Sequence, residues 1–230
     1  MKRKERSVTL DERLRSALPS LGLPEDRCGV NRGSQLVGSE RDLYRWILRS
    51  FASGQHPSLD DITGAASEHG VHDVEGALRH MVEFDLIQRD TAGMITCAYP
   101  FSSVPTNHVV TLDNGVRLYS MCAVDALGVP AMLGTGGVIS TSDPISGVSI
   151  SIAIDAEGNT HPDPKEAVVL CAIANGPGPL SSMCCPLVNT FESEADAAAF
   201  LEMHPELQGP ILTIPDAVAC GEAVFRGVLG

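Results

Sequence analysis

Residues 108–133 read HVVTLDNGVRLYSMCAVDALGVPAML, and the rest of the predicted architecture follows from them. Two runs rich in β-forming residues, His108–Leu112 and Val116–Tyr119, flank the turn sequence DNG at 113–115. That arrangement is a strong signal for a β-hairpin. A helix from about Cys122 to Leu133 follows the hairpin directly. An antiparallel hairpin that leads into a helix is typical of an α+β domain.

The chain beyond this stretch continues to mix strands and helices. Strands are predicted by alternation or apolar runs, and helices by runs of alanine and glutamate. The predicted strands are 136–141, 148–154, 167–174 and 211–214, and the predicted helices are 193–203 and 215–229. We therefore expect residues 104–230 to form an α+β catalytic domain with an antiparallel sheet.

The preceding segment, residues 39–103, has a different pattern. Leu43, Trp46, Ile47 and Phe51 recur at helical spacing, and two further helices and a short hairpin are predicted after them. This order predicts a winged-helix-like helical domain. A DNA-binding role is disfavoured, because the region between its second and third helices is acidic where a DNA reader needs arginine or lysine. A helical domain packed against the rest of the chain is the preferred interpretation.

The first 38 residues are predicted to be a basic extension and a flexible connector. A short helix is expected from Asp11 to Leu18, and the glycines and prolines that follow it disfavour regular structure. Cys28 lies in this connector, where we expect an exposed thiol.

Composition restricts the class of protein further. The chain has 230 residues and a net charge of −13, and residues 98–230 carry 14 acidic groups against 3 basic ones. So acidic a surface repels a phosphate backbone, and nucleic acid is excluded as an expected partner. No apolar run reaches the ~20 residues of a membrane helix, so no membrane partner is expected. Seven cysteines without an export signal favour a reduced protein in the cytoplasm.

The first candidate for chemistry is the pair Cys122 and Asp125. Residues three apart share one face of a helix, and Cys122 is predicted to lie where a strand ends and a helix begins. A helix N-terminus favours the thiolate form of cysteine. The carboxyl of Asp125 would lie within reach of that sulfur for proton exchange. The alternative is structural, since cysteine is often a core residue and aspartate often caps a helix.

A second candidate is the adjacent pair Cys184 and Cys185. Neighbouring side chains diverge, so only one of the two is expected to join Cys122. Two thiols that meet in space bind a soft ion such as Hg(II), Cu(I) or Zn(II). A structural zinc site is disfavoured, because no CxxC pair or Cys/His cluster supplies four ligands. The remaining cysteines, Cys97, Cys171 and Cys220, are predicted to be core residues.

In these cysteine and aspartate motifs the sequence resembles the organomercurial (alkylmercury) lyase family. The resemblance covers roughly residues 40–228. It rests on the run 117–127 (RLYSMCAVDAL), on the following PAMLG at 130–134, and on SMCC at 182–185. It implies catalytic roles for Cys122, Asp125 and Cys184, the last being the first cysteine of its pair. The same resemblance implies that Cys122 and Cys184, with Asp125 as a further ligand, hold mercury as substrate and product.

The implied reaction is protonolysis of the carbon–mercury bond of R–Hg(II), which gives the hydrocarbon RH and Hg(II). Expected partners are organomercurials, low-molecular-weight thiols and a mercuric reductase that accepts the product; no organic cofactor is expected.

Two positions depart from the family pattern: Asp143 lies in a segment where many members carry a cysteine, and Pro186 stands where a histidine is common. Two alternatives remain, a non-catalytic protein that binds or senses a soft metal and a family member with another thiol-dependent cleavage.

Overall fold

The computed structural model describes residues 35–172 and 179–230. In chain order its elements are α1 (Gly38–Ala52), α2 (Leu59–Glu68), α3 (Val74–Glu83), β1 (Ile87–Arg89), β2 (Ile95–Ala98), β3 (Phe101–Ser102), β4 (His108–Leu112), β5 (Arg117–Ser120), α4 (Ala123–Leu133), β6 (Gly137–Ser142), β7 (Ser149–Ile154), β8 (Thr160–Asp163), β9 (Val168–Cys171), α5 (Leu180–Met183), β10 (Val188–Phe191), α6 (Glu194–Met203), β11 (Ile211–Thr213) and α7 (Ile214–Phe225). A short 3₁₀ turn, Cys185–Leu187, lies between α5 and β10.

The hairpin predicted at residues 113–115 is confirmed and lies near the centre of the larger sheet. There β4 pairs antiparallel with β5, with Val110 opposite Leu118. Gly115 closes the turn at φ 84°, a left-handed conformation that glycine adopts without steric cost. Eight strands of the described chain form this sheet, in the order β1-β2-β3-β5-β4-β6-β7-β8, and all their pairings are antiparallel. The predicted α+β fold with an antiparallel sheet is confirmed.

The helix that follows the hairpin, α4, lies between the two sheets of the protein. It contacts β4, β5 and β6 of the larger sheet and β10 of a smaller antiparallel sheet, ordered β10-β9-β11. Most of its side chains are buried, so its amphipathicity is weak, as expected for a helix enclosed on several sides. The first turn of α4 is thereby fixed in the interior of the protein.

A close approach of two glycines allows α7 to pack against α4. A Cβ atom at Gly128 of α4 would lie 2.8 Å from the carbonyl oxygen of Gly221, and one at Gly221 would lie 2.6 Å from the carbonyl oxygen of Val124. No side chain fits at either position without a shift of the backbone. The pair therefore sets the distance between the two helices.

The N-terminal helices share their core with the rest of the chain. Buried residues of α1 such as Leu43, Ile47 and Phe51 belong to the same apolar cluster as Leu127 of α4. The larger sheet also runs across the predicted boundary at residue 103, because β3 pairs with β5. The division into domains at residues 38 and 103 stays a prediction.

Some predictions fall on parts of the chain outside the described residues. These are the helix from Asp11 to Leu18, the connector with Cys28, and the last residues of the strand predicted over 167–174. Within the described ranges, no helix combines the length and the apolar character that crossing a lipid bilayer requires.

Candidate active site

Cys122 lies at the junction between β5 and α4, as the sequence predicts. It is the N-cap of α4 with an extended backbone, and its sulfur accepts a hydrogen bond from the backbone N–H of Asp125 at 3.4 Å. Both residues are buried, Cys122 with 5% and Asp125 with 7% of their surface exposed. The helix turn thus holds one thiol and one carboxyl side by side in the protein interior.

The second thiol of the cluster belongs to Cys185. Its sulfur lies 3.9 Å from Oδ2 of Asp125, and ligating atoms of Cys122, Asp125 and Cys185 all lie within 4.8 Å of one another. Cys185 opens the 3₁₀ turn that leads into β10, a strand that contacts α4. Two thiols and a carboxyl at this spacing can hold one soft metal ion and exchange a proton.

The structure differs here from the sequence prediction, which placed Cys184 beside Cys122. Cys184 ends α5 at φ −123°, ψ −55°, and its partly buried sulfur lies 3.9 Å from the carbonyl oxygen of Ala172. Neighbouring side chains diverge at this turn, so the one that contacts Asp125 is Cys185. The catalytic role that the sequence predicts for Cys184 stays a prediction.

Burial and the contact between the two sulfurs set the acidity of the clustered thiols. Burial raises the pKa of Cys122 well above its usual range, and the hydrogen bond to Cys185 and the charge of Asp125 raise it further. The hydrogen bond from the N–H of Asp125 lowers the pKa of Cys122, but by less than burial raises it. The lower pKa expected at a helix N-terminus is therefore not reached. A hydrogen bond from Cys122 lowers the pKa of Cys185, but burial and Asp125 bring it to about 11. Both thiols are therefore protonated at neutral pH.

A hydrogen bond from the helical part of the chain anchors the segment that carries the cysteine pair. The carboxylate of Asp85, between α3 and β1, accepts the backbone N–H of Leu180 at 2.9 Å. Its other oxygen accepts from the side-chain amide of Gln88 at 2.7 Å. A side chain that precedes the larger sheet thus fixes the start of α5, four residues before Cys184.

Three further cysteines lie in the described part of the chain. Cys97 of β2 is buried, whereas Cys171 of β9 and Cys220 of α7 are partly buried, and all are free thiols. Burial raises the pKa of Cys97 well above its usual range, and the nearby charge of Asp125 adds to that effect. The prediction of a core position is confirmed for Cys97.

Asp143, in the segment that departs from the family pattern, binds backbone N–H groups. It is buried, and its Oδ1 accepts the backbone N–H groups of Ile145 and Ser146 at 2.7 and 3.0 Å. Its Oδ2 accepts the N–H of Glu192 at 2.8 Å, which ties the turn after β6 to the end of β10. Asp143, Glu192 and Asp196 also lie within 4.8 Å of one another. The carboxylate of Asp143 is already occupied by backbone donors.

Comparison with known proteins agrees with this fold and cluster. The family profile described as MerB, alkylmercury lyase, matches residues 101–226. An alkylmercury lyase from Staphylococcus epidermidis is 29% identical over 181 residues, which cover 78% of this chain and 79% of that protein. An alkylmercury lyase from Streptomyces lividans is 25% identical over 197 residues, which cover 86% and 88% of the two chains. The crystal structure of the mercury-bound form of MerB2 superimposes with a TM-score of 0.75 at 20% identity, covering 89% of this chain and 98% of that one.

The α+β fold and the buried cluster of two thiols and a carboxyl fit an enzyme of the thiol-dependent class. The family profile spans more than half of the chain and includes that turn and the cysteine pair. The chain belongs to the alkylmercury lyase family.

Proposed function

We propose that this protein cleaves the carbon–mercury bond of organomercurials by protonolysis, with Cys122, Asp125 and one member of the Cys184–Cys185 pair as its reactive groups. The observation that carries the proposal is the buried cluster in which two sulfurs and a carboxyl group lie within 4.8 Å of one another. In the described arrangement the second sulfur is that of Cys185. The family resemblance favours Cys184, and the variants described in the Discussion distinguish the two.

The first step is ligand exchange at mercury. A thiol of the protein replaces the thiolate X of R–Hg–X, and its proton leaves with X as HX. Cys185 suits this step better than Cys122, because the hydrogen bond from Cys122 stabilises its thiolate form. The organomercurial is then held on one sulfur of the buried cluster.

The second step breaks the carbon–mercury bond. Cys122 adds its sulfur to the mercury and passes its proton to the carboxylate of Asp125. Sulfur donation from two thiolates weakens the bond to carbon, whose electron pair is protonated from Asp125 as RH departs. The net reaction is R–Hg–X plus two protein thiols to RH, HX and Hg(II) on two sulfurs, with mercury in the same oxidation state throughout. General acid–base assistance of this kind contributes ~10²–10⁴-fold to a rate.

Release of the product requires thiols from outside the chain. Hg(II) on two buried sulfurs leaves when two external thiolates replace them, so low-molecular-weight thiols complete the cycle. A mercuric reductase is the proposed downstream acceptor. None of these steps calls for an organic cofactor. The chemistry needs reduced cysteines, and the cytoplasm is the proposed location.

We also propose that residues 39–103 act as a winged-helix-like support for the site and not as a reader of nucleic acid. The support for this role is the hydrogen bond from Leu180 to Asp85, together with the core that α1 shares with α4. Acidic side chains of α2 and α3, including Asp60, Asp61 and Glu75, are unfavourable for contacts with phosphate.

The test is an assay of the full chain with phenylmercury or methylmercury in excess thiol. The expected products are benzene or methane, measured by gas chromatography, and protein-bound Hg(II). If mercury binds but no hydrocarbon forms, the protein is a soft-metal binder or sensor and the proposed catalysis is wrong.

A further inference from the structure

Tyr99 carries a buried hydroxyl group that the proposed mechanism does not use. The residue follows β2, is 8% exposed, and donates its backbone N–H to the carbonyl of Leu86. Its hydroxyl has no hydrogen-bond partner among the described residues. A buried tyrosine hydroxyl normally has a partner, so an unpaired one indicates a group that meets its partner in another state of the protein.

The backbone brings this side chain to the active site. The next residue, Pro100, accepts a hydrogen bond at 3.1 Å from the N–H of Met121, the residue before Cys122. The pairing of β2 with β3 and of β3 with β5 continues the same connection through the sheet. The backbone next to Tyr99 is thus bonded to the residue that joins β5 to Cys122.

The charges that act on the hydroxyl include those of the thiol–carboxyl cluster. After burial, the causes that raise the pKa of Tyr99 above its usual range are the charges of Cys185, Cys97, Asp85 and Asp125, with Cys185 first among them. A contact with the same hydroxyl lowers the pKa of Cys97, although the two groups do not meet the geometry of a hydrogen bond. Tyr99 therefore stays a neutral phenol, able to donate one hydrogen bond into the cluster.

We propose that Tyr99 is a positioning residue that donates a hydrogen bond to the sulfur of Cys185 when that sulfur carries mercury. A neutral thiol is a weak hydrogen-bond acceptor, which is consistent with an unpaired hydroxyl in the metal-free protein. A metal-bound thiolate carries negative charge and accepts a much stronger bond. The hydroxyl then stabilises the mercury-loaded state relative to the free one, because its bond forms only there. This inference rests on the proposed role of Cys185 as a mercury ligand.

The matched variants are Tyr99→Phe and Tyr119→Phe. Each removes a single oxygen atom and keeps the ring. Tyr119 is half-buried on β5, and the Arg117 guanidinium lies 5.9 Å from the centroid of its ring. Tyr119→Phe therefore shows whether the loss of any tyrosine hydroxyl near the site affects mercury binding.

The experiment measures binding of Hg(II) alone to the full chain, by competition with a dithiol and by the ultraviolet charge-transfer band of the mercury–thiolate bond. Tyr99→Phe is expected to weaken Hg(II) binding about tenfold, the size of a charge-assisted hydrogen bond, and to move the band to longer wavelength. Tyr119→Phe is expected to match the wild type in both. An unchanged affinity and band in Tyr99→Phe would overturn the proposal.

A second measurement serves if Tyr99→Phe does not fold. The wild-type protein, labelled with tyrosine carrying ¹³C at Cζ, is compared by NMR before and after Hg(II) is added. The Tyr99 signal, assigned with Tyr44→Phe and Tyr119→Phe, is expected to shift, and a signal that stays in place contradicts the hydrogen bond. Neither readout depends on turnover. A wild-type protein that fails to bind Hg(II), or a Cys185→Ser variant that binds it unchanged, would instead overturn the proposed site.

Discussion

The sulfur atoms of Cys122 and Cys185 lie within 4.8 Å of each other and of a carboxyl oxygen of Asp125, so two buried thiols share one proton-accepting group. The contact between the sulfurs raises the pKa of Cys122 and lowers that of Cys185, while burial raises both. In the proposed mechanism we therefore expect Cys185 to bind mercury first and Cys122 to keep the proton that is delivered to carbon.

Serine variants of the cysteine pair identify the second thiol. Cys185→Ser is expected to lower hydrocarbon release from phenylmercury at least about a hundredfold, because it removes a sulfur that touches Asp125. Cys184→Ser is expected to lose less than about tenfold, since its sulfur lies against Ala172. Rates are measured by gas chromatography of benzene. The reverse order would show that Cys184 supplies the second thiol.

Replacement of Asp125 by asparagine separates proton transfer from mercury binding. Asp125→Asn keeps the shape of the side chain and removes the proton carrier, so hydrocarbon release is expected to fall by ~10²–10⁴-fold. Binding of Hg(II), followed by the charge-transfer band, is expected to persist because both sulfurs remain. Asp60→Asn on the exposed face of α2 is the control. A full rate in Asp125→Asn would remove this residue from the mechanism.

His108 gives the protein a predictable sensitivity to acid. Burial lowers the pKa of His108 from 6.5 to about 4, against the opposing effect of a hydrogen bond that the ring donates to Asn189. Between these two values the unfolded chain takes up a proton that the folded chain does not. Stability is therefore lost as pH falls from 6.5 towards 4, by about 3 kcal/mol from this group.

The measurement is urea denaturation at pH 7 and pH 4.5 of the wild type, His108→Gln and His72→Gln. The change in unfolding free energy between the two pH values is expected to be smaller in His108→Gln than in the other two. His72 is exposed and serves as the control. Equal losses in all three proteins would show that His108 is not the acid-sensitive group.

The glycine contact between α4 and α7 predicts a steric effect on stability. Gly128→Ala places a methyl group 2.8 Å from the carbonyl oxygen of Gly221, and overpacking of this kind costs about 1–3 kcal/mol. Gly64→Ala, in the exposed middle of α2 with no atom near its Cβ, is expected to be neutral or to stabilise by up to about 1 kcal/mol. Thermal unfolding of both variants compares the two sites. A Gly128→Ala protein as stable as Gly64→Ala would contradict the close helix contact.

Local patterns account for the parts of the structure that sequence reasoning predicted well. The hairpin at 113–115 depends on a turn that only a few residue types adopt, and the contact between Cys122 and Asp125 depends on one turn of helix. Both relations are contained within a few residues. They can therefore be read without knowing where distant parts of the chain lie.

The parts that sequence reasoning missed depend on contacts across the chain. Whether Cys184 or Cys185 reaches Asp125 depends on the backbone angles where α5 ends, and the sequence carries no signal for them except the adjacency of the two cysteines. Tyr99 belongs to no motif, and only the pairing of β2, β3 and β5 connects its part of the chain to the strand before Cys122. The short strand β3 was also missed, because two residues are too few to show a period.

The hydrogen bond between Asp85 and Leu180 has a consequence for how this protein can be divided. The family profile begins at residue 101, but the carboxylate that holds the cysteine segment lies sixteen residues before it. A fragment that starts at residue 101 would lose this anchor and two strands of the larger sheet, and it would expose the apolar face that the N-terminal helices cover. The N-terminal helices and the cysteine segment are thus packed as one unit, and we expect substitutions at Asp85 to affect the mercury chemistry from a distance.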